Sequence, residues 1–402
     1  MAADRATDAR GLRGRAVTAA LIIFWVCLAV CVYIYFGYPA LLFALSRLPR
    51  RVVSHGTSMP TVSIVIPVYN EEAVIQQKIE NALSLDHAGE LEVIIASDGS
   101  NDRTVDIARG FGNAVHVLEL ERGGKAFALN AAARVARGEV LVFTDANVFL
   151  DREALSHLIK PFSDPAVGGV CGNKKFRIRS GGDTTELGEN LYVRYDQWQK
   201  KLESEIGSVF AADGMLYAVR RSLFVPIEDP AQADDIAIST RVVLQGSRLV
   251  YEPRAVAWED APAEGREEFR RKIRVTNHSV RALLNLGSRL WTSGFYSVEL
   301  LSHKLIRHFI PLFLIPLFVS NAVLATQSHF FALMLLLQIL FYLLAVSGAM
   351  LRGTRAGRLK LFSIPYYFCL VNAAAFLGLL SILRKERLKA WTPRGGLEKK
   401  GD

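Results

Sequence analysis

The hydrophobic positions of the chain fall into two kinds of pattern. Long, almost uncharged apolar runs lie near both ends, at residues 17–45, 306–325, 330–351 and 361–383. Each run is long enough to cross the hydrocarbon core of a bilayer as a helix. Between the first run and the later three, short apolar runs alternate with stretches in which apolar residues recur every three or four positions. The pattern predicts a globular domain inserted between transmembrane helices.

The globular part begins with a regular alternation of strands and helices. Apolar, β-branched runs predict strands at 61–67, 92–97, 114–120 and 140–143, each followed by a helical stretch. This order predicts an α/β domain with a doubly wound, Rossmann-like parallel sheet, whose ligands bind beyond the carboxyl ends of the strands. Later elements are less regular, with strands at 167–170, 174–178, 215–219 and 249–252 and helices at 186–206, 236–245 and 267–280.

These patterns divide the chain into six segments. They are a disordered tail (1–16), an N-terminal transmembrane helix (17–46), an α/β domain (60–280), an interfacial helix (281–304), about three transmembrane helices (305–384) and a basic tail (385–402). The loop 352–360 is basic and the loop 326–329 is not, so the positive-inside rule places the globular domain on the cytoplasmic side. Three complete spans would place the basic tail on the other side, so the topology of the tail stays open.

Charge and cysteine content narrow the class of protein. The formal net charge is +9, and much of the basic excess lies in tails and loops beside the apolar runs. This distribution favours anionic lipid headgroups over nucleic acid. Three of the four cysteines, Cys27, Cys31 and Cys369, lie in apolar runs. We therefore predict neither a disulfide framework nor a zinc site.

Polar side chains follow the predicted strands where a ligand would bind. Asp98 ends the second strand, and Asp145 and Asn147 follow the fourth. Two oxygen-bearing side chains one residue apart suit a hard cation such as Mg²⁺ or Mn²⁺, which substrate phosphates would also hold. Asp145 could instead only cap the next helix, and this stretch alone favours the two interpretations about equally.

Two further features carry alternatives of their own. Lys125 follows two glycines at a predicted helix start, where free N–H groups favour phosphate, although a solvated lysine is the ordinary alternative. The spacing fits neither a Walker A loop nor a dinucleotide fingerprint. Asp234 and Asp235 begin another helix, and such a pair is more often a cap than a general base.

The ordered set of motifs resembles the membrane-bound family 2 glycosyltransferases, which include cellulose, hyaluronan and poly-N-acetylglucosamine synthases. The motifs are IPVYNEE (66–72), SDGSND (97–102), GK (124–125), TDAN (144–147), ADG (212–214), ADD (233–235) and RKIR (271–274). The resemblance implies a GT-A fold and inverting transfer from a nucleotide sugar, most often a UDP-sugar. It also implies catalysis at the cytoplasmic face of the plasma or inner membrane.

The resemblance implies roles on the donor side of the site. Pro67, Tyr69 and Glu71 would line the nucleotide pocket. Asp98 would bind the base or ribose, and Lys125 would lie near the nucleotide.

It implies catalytic roles as well. Asp145 would coordinate the metal that bridges the diphosphate, and Asp213 would lie near the acceptor and the donor sugar. Asp235 would be the catalytic base, and Arg274 would neutralise the departing diphosphate. These roles agree with the needs of glycosyl transfer, namely a base on the hydroxyl and cations on the leaving group.

Three positions depart from the usual motifs. Asn147 replaces a second acid of the metal motif, where its amide oxygen can still bind a metal directly or through water. The usual Gln-x-x-Arg-Trp motif reads Arg271-Lys-Ile-Arg274-Val275, so its final Trp is missing. The resemblance places Arg271 among the substrate-binding residues. Ser97 takes a position that is acidic in many members.

Three functions therefore remain open. The first is transfer to a growing polysaccharide or glycolipid, in the presence of membrane lipids. The second is transfer of a single sugar to a lipid-linked acceptor, because the missing Trp weakens the case for a processive synthase. The third is a membrane protein that binds a nucleotide or sugar without catalysis, although such a protein needs no base. No nucleic-acid partner is predicted.

Overall fold

The structure is a computed structural model that describes residues 2–48, 52–54, 59–177, 184–260 and 265–386, with side chains from Gly14 onward. An eight-stranded sheet forms the centre of the domain within this described part, in the order β3-β2-β1-β4-β7-β6-β8-β5. Its strands are β1 (Val62–Val68), β2 (Leu91–Asp98), β3 (His116–Leu120), β4 (Val140–Phe143), β5 (Phe149–Leu150), β6 (Val167–Arg177), β7 (Tyr217–Arg220) and β8 (Arg248–Asp260).

The parallel part of the predicted sheet is confirmed, but the whole sheet is mixed. Strands β1 to β4 pair in parallel, whereas β7 runs antiparallel to both β4 and β6. Phe143 pairs with Tyr217 across the antiparallel step. The loop that precedes Tyr217 therefore lies at the same edge as the residues that follow Phe143. This register brings the second half of the chain to the predicted ligand edge.

The helices lie on both sides of the sheet and beyond it. In the domain they are α3 (Ile75–Leu83), α4 (Thr104–Arg109), α5 (Lys125–Val135), α6 (Ala154–Ile159), α7 (Thr184–Ile206), α8 (Asp234–Leu244) and α9 (Gly265–Leu284). Before it come α1 (Ala2–Val32) and α2 (Tyr38–Leu45), and after it α10 (Arg289–Thr292), α11 (Phe295–Glu299), α12 (Ile306–Leu324), α13 (His329–Met350) and α14 (Lys360–Leu383). Helix α1 extends into the segment 1–16, for which the sequence predicts disorder. Only residues 385–386 of the predicted basic tail are described.

The core explains why the central strands consist of continuous apolar runs. All seven residues of β1 are buried. Alternate residues point to opposite faces: Ile64 packs in a cluster with Ile79 of α3, and Val65 packs in another with Leu129 of α5. A strand covered by helices on both faces needs apolar side chains at every position. Full burial of one such side chain stabilises the fold by roughly 1.5–3 kcal/mol.

Four helical segments of the described chain are long and apolar enough to cross a membrane: Gly14–Leu45, Phe295–Leu324, His329–Met350 and Lys360–Leu383. The second begins earlier than predicted, because α11 continues through a π-helical turn, Leu300–Leu305, into α12. Part of the predicted interfacial segment thus belongs to this span. Helix α14 packs against α7 and α9 of the domain. The membrane helices and the ligand edge of the sheet are therefore neighbours.

Candidate active site

A cavity of about 340 Å³ opens at the carboxyl edge of the parallel strands. Its walls come from the ends of β1 and β4, the starts of α5 and α8, the helices α7 and α9, and the membrane helices α12 and α14. Most of the predicted site residues meet there. Those that line it are Glu71, Lys125, Asp145, Asn147, Asp213, Asp235, Arg271 and Arg274.

Lys125 joins two carboxylates across the cavity. Its Nζ lies 2.8 Å from Asp145 Oδ1 and 3.1 Å from Asp234 Oδ2. Burial alone would lower the pKa of Lys125, but the two carboxylates hold it above its usual value. Helix α6 begins only at Ala154, so Asp145 does not cap it. The solvated-lysine alternative for Lys125 fails too, since the side chain is 19% exposed.

Asp235 has the properties of a general base. It lies in the first turn of α8, where its Oδ1 accepts a hydrogen bond from the Ile236 N–H at 2.8 Å. Burial, followed by the charge of Asp234, raises the pKa of Asp235 to about 6. Since Asp234 is engaged by Lys125, the two neighbouring acids occupy different environments. Asp234 can therefore balance the charge of Lys125, while Asp235 can accept a proton.

Asp213 is clamped between two lysines. Lys174 Nζ lies 2.7 Å from Asp213 Oδ1, and Lys200 Nζ lies 2.6 Å from Asp213 Oδ2. Burial would raise the pKa of Asp213, but the two ammonium groups hold it below its usual value. Lys200 also pairs with Asp196 at 3.3 Å. Asp213 is therefore a fixed carboxylate and does not serve as a proton acceptor near neutral pH.

Arg271 is also held by acids of its own chain. Its guanidinium donates to Glu268 Oε2 at 2.7 Å and to Glu189. Lys272 pairs with the same two acids, at 3.1 Å and 3.3 Å. Arg274 lines the cavity on the same helix. The predicted arginines thus lie at the site, and Arg271 is already neutralised there.

The three remaining predicted residues lie outside the cavity lining. Pro67 is in β1, and the guanidinium of Arg122 lies 3.4 Å above the Tyr69 ring. Asp98 is fully buried and accepts hydrogen bonds from the N–H groups of Gly123, at 2.7 Å, and Gly124, at 2.8 Å. Asp98 also pairs with Arg122. It therefore shapes the loop before α5, and its contact with a base or ribose stays a prediction.

Glu71 joins the same edge from the turn after β1. Its N–H donates to Thr104 Oγ1 at 2.8 Å, and its side chain is nearly buried. Burial, with the charge of Asp145 as the next cause, raises the pKa of Glu71 to about 7. A second titratable group thus lies beside the metal motif.

Lys78 supports this edge and is absent from the sequence prediction. It is fully buried, and its Nζ donates to Thr144 Oγ1 at 3.1 Å and to the Val148 carbonyl. These two contacts bracket the TDAN motif. Burial lowers the pKa of Lys78 to about 7. The sequence does contain a signal, because position 78 lies on the apolar face of α3 between Ile75 and Ile79.

Glu259 is a second residue that the sequence analysis missed. It lines the cavity from β8, and its Oε1 accepts from Asn147 Nδ2 at 2.9 Å. The Glu259 carboxylate thus lies beside the amide of Asn147, at the position where the motif usually has a second acid. No short-range sequence signal links the two residues, because their contact depends on the sheet order.

The oxygen ligands at this edge fit a hard divalent cation. No group of three or more metal-ligating His, Cys, Asp or Glu side chains occurs in the described chain. Mg²⁺ and related ions at phosphate-transfer sites commonly take only one or two protein carboxylates and complete their shell with substrate phosphates and water. Asp145 and Asn147 could form such a partial site.

Residues 63–224 match the family model for glycosyl transferase family 2. This chain carries a family 2 glycosyltransferase domain. Curated relatives include poly-beta-1,6-N-acetyl-D-glucosamine synthases from Staphylococcus aureus (strain COL), 27% identical over 250 residues and 60% of this chain, and from Staphylococcus epidermidis, 29% identical over 221 residues and 52% of this chain. The matches span 58% and 52% of the length of those two relatives.

A solved structure extends the likeness to the long apolar helices. It is the mannosyltransferase PcManGT from Pyrobaculum calidifontis in complex with GDP-Man and Mn²⁺, with a TM-score of 0.69 and 24% identity. The match covers 90% of this chain and 99% of that one. At this identity the likeness concerns the fold, and it confirms the predicted GT-A architecture flanked by apolar helices. The family resemblance predicted from the motifs is likewise confirmed by the domain match.

Proposed function

We propose that this chain is an integral-membrane, inverting glycosyltransferase that acts at the cytoplasmic face. It moves a sugar from a nucleotide sugar to a polysaccharide or glycolipid acceptor. One observation carries the proposal: a carboxyl whose pKa is raised to about 6, Asp235, lines the same cavity as Asp145, Lys125 and Arg274. A base and a set of charges for a diphosphate are the two requirements of this reaction.

The chain's own residues account for the chemical step. An acceptor hydroxyl attacks the anomeric carbon from the side opposite the diphosphate, and its proton passes to Asp235. The bond between that carbon and the diphosphate oxygen breaks, and the diphosphate leaves with the electron pair. Arg274 stabilises the negative charge that develops on the leaving group. Asp213, fixed by Lys174 and Lys200, orients the sugar by accepting hydrogen bonds.

We further propose that Asp145 and Asn147 bind Mg²⁺ or Mn²⁺ together with the donor diphosphate. The cation would supply Lewis-acid stabilisation of the leaving group. Lys125 would compete with the cation, because its ammonium lies 2.8 Å from Asp145 Oδ1. Once released, Lys125 can bind the diphosphate that arrives at the same place.

The donor is proposed to be a UDP-sugar, with a hexose as the transferred group. The names of the relatives contain N-acetyl-D-glucosamine, whereas the solved neighbour contains GDP-Man. A test must therefore include UDP- and GDP-linked sugars. We would measure nucleoside diphosphate release by the detergent-solubilised full chain with each donor, with and without Mn²⁺, in the presence of a native lipid extract.

Two substitutions make the test specific. Asp235→Asn should abolish metal-dependent release, because an amide cannot accept the proton. Asp106→Asn, at an exposed position of α4, should leave release unchanged. Full activity in Asp235→Asn would exclude the assigned base. Nucleotide binding without turnover of any donor would instead support a binding protein that lacks catalysis.

Transfer of a single sugar to a lipid-linked acceptor is the second candidate. Val275 lines the cavity at the position where processive synthases carry Trp. A missing aromatic surface weakens the grip on a growing chain. Product size separates the candidates, since a polymer and a singly glycosylated lipid differ greatly in mass.

A further inference from the structure

The wall of the cavity on the membrane side carries its own basic cluster, formed by Lys304, Arg307 and His308. These residues lie where the π-helical turn enters α12, and their spacing of three and four residues places them on one helix face. Lys304 and His308 line the cavity, as does Val371 of α14. The catalytic cavity is therefore continuous with two helices that are long and apolar enough to span a membrane.

The basic side chains of this cluster differ from those of the other cavity walls in their ion pairing. Several lysines and arginines of the other walls are already paired with carboxylates of the chain, as shown for Lys125, Lys174, Lys200, Arg271 and Lys272. Lys304 has no carboxylate at ion-pair distance among the described residues, and its Nζ lies 5.7 Å from the centre of the Phe210 ring. Lys304 thus makes no ion-pair contact within the described residues, although its charge acts on Asp235.

The other two members lack an acidic partner as well. The Arg307 guanidinium lies over the rings of Tyr192 and Tyr195, at 4.5 Å and 5.5 Å, with no described carboxylate at ion-pair distance. His308 Nδ1 lies 3.2 Å from Thr276 Oγ1, while its buried Nε2 has no hydrogen-bond partner in the described structure. Unbalanced cations and an unsatisfied imidazole nitrogen are costly in a partly buried wall. An anionic ligand would satisfy both.

We propose that Lys304 and His308 bind the phosphate group of a membrane acceptor lipid, with Arg307 adding to the positive field. This rests on the proposed function, since it names the chemistry of the acceptor at that site. A lipid phosphate can reach the cluster along α12 and α14 while the sugar-accepting hydroxyl enters the cavity toward Asp235. The donor diphosphate is assigned to Asp145 and to Arg274, which lies on α9, a helix that also contacts the π-helical turn. Lys304 and His308 would thus bind the phosphate of the acceptor, and Arg274 that of the donor.

Lipid binding can be measured without turnover. The full chain in neutral detergent is titrated with dioleoyl phosphatidate or with dioleoylglycerol in mixed micelles, and affinity is read by thermophoresis. We expect the phosphate-bearing lipid to bind at least about tenfold more tightly, as for a charge-assisted contact. Lys304→Gln should remove this preference, and Lys304→Arg should keep it. Lys360→Gln, a matched change at the exposed start of α14, should also keep it.

A parallel titration with UDP and Mn²⁺ separates the two phosphate sources. Unchanged UDP affinity in Lys304→Gln, together with lost lipid preference, supports the proposal. Weakened UDP binding with an intact lipid preference would assign the cluster to the donor and overturn it. No phosphatidate preference in the unsubstituted chain would also overturn it. The release assay tests the proposed function separately, since failure to turn over any donor leaves the lipid affinities measurable.

Discussion

Replacing Lys125 by Met tests whether this lysine competes with a metal for Asp145. In the structure the ammonium bridges Asp145 and Asp234 at 2.8 Å and 3.1 Å. A divalent cation that binds Asp145 would therefore compete for a carboxylate that Lys125 already contacts through Oδ1. The variant removes the competitor and leaves both carboxylates in place. Mn²⁺ should then bind more tightly to the free protein, while a nucleoside diphosphate should bind less tightly.

The size of the effect follows from the burial of the contact. The three side chains are 19%, 27% and 20% exposed, so solvent screens the pair only in part. A hydrogen bond to a charged group contributes about 1.5–3 kcal/mol net. The lower end of that range corresponds to about a tenfold change in an equilibrium constant. We therefore expect Lys125→Met to raise Mn²⁺ affinity about tenfold in the absence of nucleotide.

Electron paramagnetic resonance of free Mn²⁺ gives this affinity directly, and it needs no substrate turnover. Lys201→Met is the matched control, because Lys201 is exposed on α7 away from the cavity lining. UDP affinity measured at saturating Mn²⁺ gives the second half of the result. If Lys125→Met left Mn²⁺ binding unchanged or weaker, Lys125 would not be a competitor for Asp145, and the exchange proposed above would be wrong.

Three further predictions use other groups. The value of kcat/KM should rise with pH through about 6 as Asp235 loses its proton, and Asp235→Asn should remove activity at every pH. Burial lowers the pKa of Lys78 from 10.5 to about 7. Between these values the unfolded chain binds one proton more than the folded chain, so stability should rise with pH across that window. Thermal unfolding of Lys78→Met should lose this pH dependence. His303 contacts Glu203 at 2.6 Å and Asp196 at 3.0 Å in a buried cluster, so His303→Ala should destabilise the protein by about 3 kcal/mol or more in chemical unfolding. An unshifted unfolding midpoint would contradict that reasoning.

The first half of the domain was predictable because its signals are local. Strand β4 has the predicted bounds, Val140–Phe143, since an apolar β-branched run between a glycine turn and polar residues admits few alternatives. The same locality placed Asp145 and Asn147 at the ligand edge. Lys125 was also placed correctly, at the first position of α5 after Gly124, which has a φ of +91°.

The second half could not be predicted in this way. The sequence predicts a last strand at 249–252, followed by Pro253, a residue that cannot donate a ladder hydrogen bond. Strand β8 instead continues to Asp260. The register shifts beside the proline, and the Pro253 carbonyl accepts from Asn173 Nδ2 at 2.7 Å. This irregularity accommodates the proline and carries Glu259 to the cavity.

The ion pairs across the cavity could not be predicted from the sequence either. Asp213 reaches Lys174 and Lys200 only because β7 runs antiparallel to β4 and β6. A pattern of apolar residues gives strand positions but not strand direction. Motif spacing therefore predicted most of the acids that line the cavity, whereas their partners depended on long-range topology.

These internal pairs also constrain how substrates can enter. A metal alone would compete with Lys125 for Asp145, and a diphosphate alone would meet the negative charges of Asp145 and Asp234. With both bound, Asp145 would hold the metal and Lys125 could pair with the diphosphate, so each charge would keep an opposite partner. Binding linkage is reciprocal, so UDP should raise the affinity for Mn²⁺ by the same factor as Mn²⁺ raises the affinity for UDP. Lys125→Met should reduce that shared factor, since the variant lacks the charge that changes partners.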